Sequence, residues 1–275
     1  MTVKSILALV DGGPLSQPTI ETAVAVARNF GAYIEVLHVR ADPATLVPIV
    51  GEGMSGAMVE QVMDAMANAV DTRAAKARAA YDLIAARADL PIAWRQEMGP
   101  EPVVLAAAGR LTDLIVLGRP DKSTDGQMAA SLDAALFDTG HPVLVAPPTG
   151  PTSVGRRVAV AWNGSAEASR VVAAALPFLH GAEAVTILTA SGTDKRAPAE
   201  MLVAYLARHE IKAEVLHVEL QSHSVGHVLV EQAQRLGADL LAMGAYGHSR
   251  LREMILGGAT RDVLAQATLP VLMAH

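Results

Sequence analysis

The chain has 275 residues, of which 51% are apolar and 18% charged, with a formal net charge of -6. That length suggests two domains of ordinary size, and the composition describes a packed globular chain rather than a disordered one. The acidic balance argues against a nucleic-acid footprint, which needs a clustered basic face. The absence of cysteine excludes disulfides, thiolate nucleophiles and zinc–thiolate sites.

In chain order, the first apolar run is "SILALV" (5–10), which ends at Asp11. It is too short for a membrane span and lacks a signal-peptide cleavage pattern, so a cytoplasmic location without membrane contact is expected. A helix-period stretch, "SQPTIETAVAVARNFG", follows. Further strands are expected at "YIEVLHV" (33–39), "IAWRQE" (92–97), "DLIVLG" (113–118) and "PVLVAP" (142–147). Short buried strands alternating with helices imply right-handed crossovers and a parallel sheet.

The second half repeats this order, with strands at "RVAVAW" (157–162), "AVTILTA" (184–190), "AEVLHV" (213–218), "DLLAMG" (239–244) and "PVLMAH" (270–275). "LALVDGGPLS" corresponds to "VAVAWNGSAE", and "HPVLVAP" to "LPVLMAH". The repeat unit is therefore a whole β-α domain. The Pro/Gly/Ser/Thr-rich "APPTGPTSVG" (146–155) reads as a linker, giving domains 1–149 and 150–275. The offset between the copies falls from 152 residues at Asp11/Asn163 to 126 at Gly118/Gly244, so the first copy carries 26 additional residues. They read as a loop and then a long helix. Met54, Met58, Met63 and Met66 lie there, and the reading favoured for them is a helix burying its apolar side on the sheet. The weaker alternative is a cover over the first copy's pocket or a surface for an apolar ligand.

The stretch "GAYGHSRLREMILGGAT" (244–260) concentrates Gly244, Gly247, Gly257 and Gly258 between a strand end and a helix expected over roughly 259–267. Ligands of open α/β sheets bind outside the carboxyl ends of strands. A helix N-terminus presents free N–H groups to anions. Thr260 could add a hydroxyl, and His248 and Arg250 positive charge, so the stretch points to a nucleotide-phosphate pocket. The plainer reading is that the glycines only make turns.

The spacing Gly-x2-Gly-x9-Gly resembles the ATP-binding signature of the universal stress protein family, and the resemblance covers nearly the whole chain as a tandem pair. It implies, for each half, a doubly wound α/β domain with a five-stranded parallel sheet of order 3-2-1-4-5 and helices on both faces. It implies ATP, with Mg²⁺, as ligand. By the same resemblance the site comprises Asn163 at the nucleoside, Met243 and Gly244 at the ribose, and Gly247, Gly257, Gly258, Ala259 and Thr260 at the phosphates, with His248 beside them. Two residues depart from the family pattern: Asn163 replaces its aspartate, and Gly258 its Ser/Thr.

In the first copy Gly118 persists, but Asp121 stands where Gly247 stands, and Ala129 and Ala130 replace Gly257 and Gly258. An acidic group and added Cβ atoms oppose a phosphate, so this copy is expected not to bind ATP in the usual way, although Asp11 leaves room for another ligand. The final strands, 142–147 and 270–275, are expected to pair across the domain interface as an intramolecular pseudo-dimer. A homodimer and an unidentified protein partner are further expectations.

His217, His223 and His227 read as surface or cap histidines rather than a metal set, for want of a completing carboxylate or cysteine. No GxSxG elbow or P-loop is present. The leading expectation is a stress-response ATP-binding regulator or sensor. The alternatives are a slow ATPase or other adenine-nucleotide enzyme, and a nucleotide-free interaction scaffold.

Overall fold

The computed structural model describes residues 2–42, 56–119, 127–190, 197–220, 224–246 and 258–275. The first half runs β1 (Ser5–Leu9), α1 (Ser16–Phe30), β2 (Tyr33–Arg40), α2 (Gly56–Ala85), β3 (Ile92–Met98), α3 (Glu101–Gly109), β4 (Leu114–Gly118), α4 (Gln127–Asp138) and β5 (Val143–Ala146). The second half runs β6 (Arg157–Ala161), α5 (Ala166–Gly181), β7 (Ala184–Ala190), α6 (Ala199–Arg208), β8 (Glu214–Val218), α7 (Val225–Arg235), β9 (Leu240–Gly244), α8 (Gly258–Gln266) and β10 (Val271–Ala274).

All ten strands form one sheet, ordered β3-β2-β1-β4-β5-β10-β9-β6-β7-β8. Within each half the order is 3-2-1-4-5 and every pairing is parallel, as expected. The halves join through an antiparallel contact, with Leu144 opposite Leu272. That pairing satisfies two strand edges that would otherwise stand open.

Each face of the sheet carries one apolar cluster that runs through both halves. One contains Ile20, Val24, Val171 and Phe178 of α1 and α5 together with Leu144 and Leu272. The other contains Leu132, Leu136, Val263 and Leu264 of α4 and α8 with Val145 and Val271. Two aspartates fasten the start of each half. Asp113 accepts the Lys4 and Ser5 N–H groups at 2.7 and 3.0 Å. Asp239 accepts the Gly155, Arg156 and Arg157 N–H groups and the Ser153 hydroxyl at 2.6–3.2 Å.

Helix ends follow local chemistry. α1 stops at Gly31, in the left-handed region, whose N–H reaches the Ala27 carbonyl. α5 and α7 start at Ser165 and Ser224, whose hydroxyls accept the N–H groups of Ala168 and His227.

Helix α2 is the long helix expected in the extra segment, but its Met-rich start does not bury an apolar face on the sheet. Its buried residues are Val70, Ala74 and Ala77. Met58 is 53% exposed, and Met63 and Met66 are half-buried. Its fully buried positions fall in the middle turns, from Val70 to Ala77, and none in the Met-rich start. Met54 lies outside the described residues.

Candidate functional site

In each half the chain leaves the first strand in one direction toward the second and crosses back to the fourth on its other side. The carboxyl ends of β6 and β9, and of β1 and β4, are therefore topological switch points, where open α/β sheets bind their ligands.

In the second half, Asn163 follows β6 and is exposed. Its Oδ1 accepts the Ser165 N–H at 3.1 Å, which folds the β6–α5 turn back on itself. β9, the neighbour of β6, ends at Met243 and Gly244. Met243 is 4% exposed and belongs to the apolar cluster. Gly244 has a packing role of its own: a Cβ there would lie 2.7 Å from the Ala168 nitrogen and from the Glu167 carbonyl carbon. The start of α5 thus crosses β9 so closely that only glycine fits.

α8 begins at Gly258, which is exposed and where an added Cβ would meet nothing within 4 Å. Ala259 is half-buried and Thr260 is 4% exposed in the first turn. The structure therefore places Asn163, Met243 and Gly244 on adjacent strand ends and Gly258, Ala259 and Thr260 at the start of the helix after β9. Gly247, His248, Arg250 and Gly257 lie outside the described residues.

Tyr246, which the sequence reading passed over, ties this segment to the other half. Its backbone is left-handed, with φ 58°. Its hydroxyl donates to the Asp133 carboxylate on α4, and its ring lies 5.0 Å from that of Phe137. Burial first, then the hydrogen bond to Asp133 and its charge, push its ionisation well above the ordinary tyrosine range. His275 completes the cluster, 4.5 Å from Phe137 and with Nδ1 3.2 Å from the Ala245 carbonyl. The corresponding segment of the first half also crosses the interface: Arg119 donates to the Ala267 carbonyl at 3.0 Å.

In the first half, Asp11 Oδ1 accepts the Gly13 N–H at 2.8 Å and the Ser16 hydroxyl at 3.2 Å. Gly12, at φ 81°, lies so near α2 that a Cβ would collide with the Arg73 carbonyl. A cavity of about 250 Å³ opens beside this contact, lined by Asp11, residues 38–41, Met66, Ala69, Val70, Arg73 and Glu101. His38 is 3% exposed and its Nδ1 lies 2.8 Å from the Val10 carbonyl. A carbonyl only accepts, so Nδ1 carries the proton. Burial lowers the His38 pKa, the Val10 contact and Asp11 opposing. The imidazole is therefore neutral, and its Nε2 is a buried acceptor without a partner among the described residues. Asp121 lies outside the described residues. Ala129 and Ala130 fall inside α4, where the second half has the start of α8.

His217 is exposed and lies 3.9 Å from Glu200, while His227 contacts Gln266 at 2.6 Å and takes the Ser224 cap. His223 lies outside the described residues. Among the described residues no group of three His, Cys, Asp or Glu could hold a metal ion, and no helix is long and apolar enough to cross a membrane.

Tandem doubly wound halves, each reversing strand order at its first and fourth strands, define the class as a two-domain α/β protein. A sequence profile of the universal stress protein family matches residues 2–147 and again 155–275. The chain belongs to the universal stress protein family, in a tandem two-domain form. It is 29% identical to Universal stress protein Slr1230 of Synechocystis sp. over 98% of this chain and 99% of that protein. Among solved structures it is similar to a universal stress protein from Archaeoglobus fulgidus, with a TM-score of 0.67 and 19% identity over 99% of this chain and 96% of that one. It is also similar to a universal stress protein from Pseudomonas aeruginosa described as putative in its own structure, with a TM-score of 0.60 and 14% identity over 99% and 93%. At these identities the structures speak for the fold alone.

Proposed function

We propose that the second domain binds ATP with Mg²⁺ and that occupancy there regulates partner proteins in a stress response, the first domain serving as its structural partner. The observation that carries this reading is the pairing of an exposed Asn163 at the β6 switch point with an open, Cβ-free Gly258 at the start of α8. These residues fit the ligand: Asn163 offers both acceptor and donor to a base, and the first N–H groups of α8 favour phosphate. Gly247 and Gly257 would complete the phosphate seat by family resemblance, His248 would add positive charge, and Mg²⁺ would enter with the triphosphate.

One observation favours a second reading, a nucleotide-free interaction scaffold. Gly244 is required by the α5 crossing whether or not a ligand is present. Equilibrium dialysis against ATP–Mg²⁺ separates the two. The ATP reading expects retention by the wild-type chain and none by Gly257→Asp, which sets a negative charge at the phosphate seat. Equal retention by both would place the nucleotide elsewhere, and no retention by either would favour the scaffold. Product analysis of the retained nucleotide tests the slow-ATPase alternative.

A further inference from the structure

We propose that the cavity beneath α2 in the first domain is a second ligand site, for a small zwitterion of the α-amino acid class with a short apolar side chain. The claim is independent of the nucleotide reading, because it concerns residues of the other domain.

Its size sets one limit. At about 250 Å³ the cavity is below the range of pockets for drug-sized ligands, which favours a ligand smaller than a nucleoside triphosphate. Its chemistry is what remains after internal pairing. Arg40 is paired with Asp71 through its terminal nitrogen, while its buried Nε has no partner among the described residues. Glu101, the other carboxylate of the lining, is buried and accepts the Ser131 hydroxyl at 2.6 Å. Arg73 has no ion pair or hydrogen bond among the described residues, and a free guanidinium selects a carboxylate. Asp11 uses Oδ1 for the turn and keeps Oδ2 for a donor, which an ammonium matches in charge. His38 supplies the buried Nε2 acceptor, and a buried acceptor with no donor calls for an explanation such as an incoming N–H. Met66 and Val70 form an apolar wall. An unpaired guanidinium with the buried Arg40 Nε–H beside it faces a carboxylate, while the free Asp11 oxygen, the orphaned His38 acceptor and the apolar wall match an ammonium and a short hydrocarbon.

The second domain lacks this set. The strand registers align Leu37 with Leu188, so Thr189 occupies the place of His38, and Asn163 that of Asp11. Arg73, Met66 and Val70 belong to the longer connection found only in the first half. The site is therefore peculiar to this half.

The test is calorimetry on the full chain with L-leucine as probe. Saturable binding at one site is expected, weakened at least tenfold in leucinamide, which lacks the carboxylate, and in 4-methylpentanoate, which lacks the ammonium. Arg73→Gln, an exposed change that leaves the core untouched, should weaken leucine at least tenfold, and saturating ATP–Mg²⁺ should leave it unchanged. Nitrogen-15 spectra of the imidazole should show the His38 Nε2 signal moving as a donor reaches it. Silence toward leucine, valine and methionine at millimolar concentration would overturn the proposal. So would unaltered affinity in Arg73→Gln, or displacement of leucine by ATP.

Discussion

The Tyr246 hydroxyl donates to the Asp133 carboxylate, joining the glycine-rich segment of the second domain to a helix of the first. The two residues are 113 positions apart. A ligand that contacts the end of β9 therefore adjoins a segment already anchored in the other domain. Tyr246→Phe should lower stability by about 1 kcal/mol, the ordinary worth of such a bond. If the anchor also positions the nucleotide segment, ATP affinity should fall with it. Denaturant melts with and without ATP–Mg²⁺ measure both quantities.

Gly258→Asp should split stability from binding. An acidic side chain in the first turn of α8 meets no steric obstacle, and the helix dipole favours it by roughly 0.3–1 kcal/mol. The same charge would repel a triphosphate. The expected outcome is an unchanged or slightly higher melting temperature with ATP affinity reduced at least tenfold. Gly258→Ser, which restores the family's hydroxyl, should tighten ATP by about threefold to tenfold if it gains one net hydrogen bond.

Gly244→Ala should be destabilising even without ligand. The new methyl would stand 2.7 Å from the α5 backbone. Forcing α5 away from β9 should cost about 1–3 kcal/mol. Gly118→Ala, where the nearest atom is the Leu15 Cβ at 3.0 Å, should cost less. Urea midpoints of the two variants give the comparison directly.

The inner strands were legible because parallel strands buried on both faces read as unbroken apolar runs, and the edge strands β3 and β8, only partly buried, were legible from their place in the repeated order. Each expected strand lies within about a residue of the observed one at both ends. The β5–β10 pairing was legible for the same reason, since two similar apolar terminal strands need cover. What the residues hid depended on distant neighbours. The need for glycine at 244 comes from where α5 starts, and Tyr246 acquires its partner only when the halves meet. His38 looked like any histidine in an apolar run, because a tautomer fixed by Val10 has no sequence signal. The Met-rich stretch misled because helical spacing gives a face but not which turns of that face are covered, and burial begins only at Val70.

His38 also sets a pH dependence. Its folded pKa is lowered by burial from 6.5, so the unfolded chain takes up the proton first as pH falls. Its contribution is fully present above pH 6.5 and is lost as pH drops toward the folded value. Between the two values the slope can reach at most about 1.4 kcal/mol per pH unit for one proton, and it vanishes once both states are protonated. His38→Gln should flatten it in melts followed from pH 7.5 to 5, as an order-of-magnitude window around the histidine range.

The central claim is a working nucleotide site in the second domain alone. It is tested most directly by calorimetric titration of the full chain with ATP–Mg²⁺, after any nucleotide carried through purification has been assayed and removed. One site per chain, lost in Gly258→Asp, is the predicted result. Two sites per chain, or none in protein free of nucleotide, would contradict it.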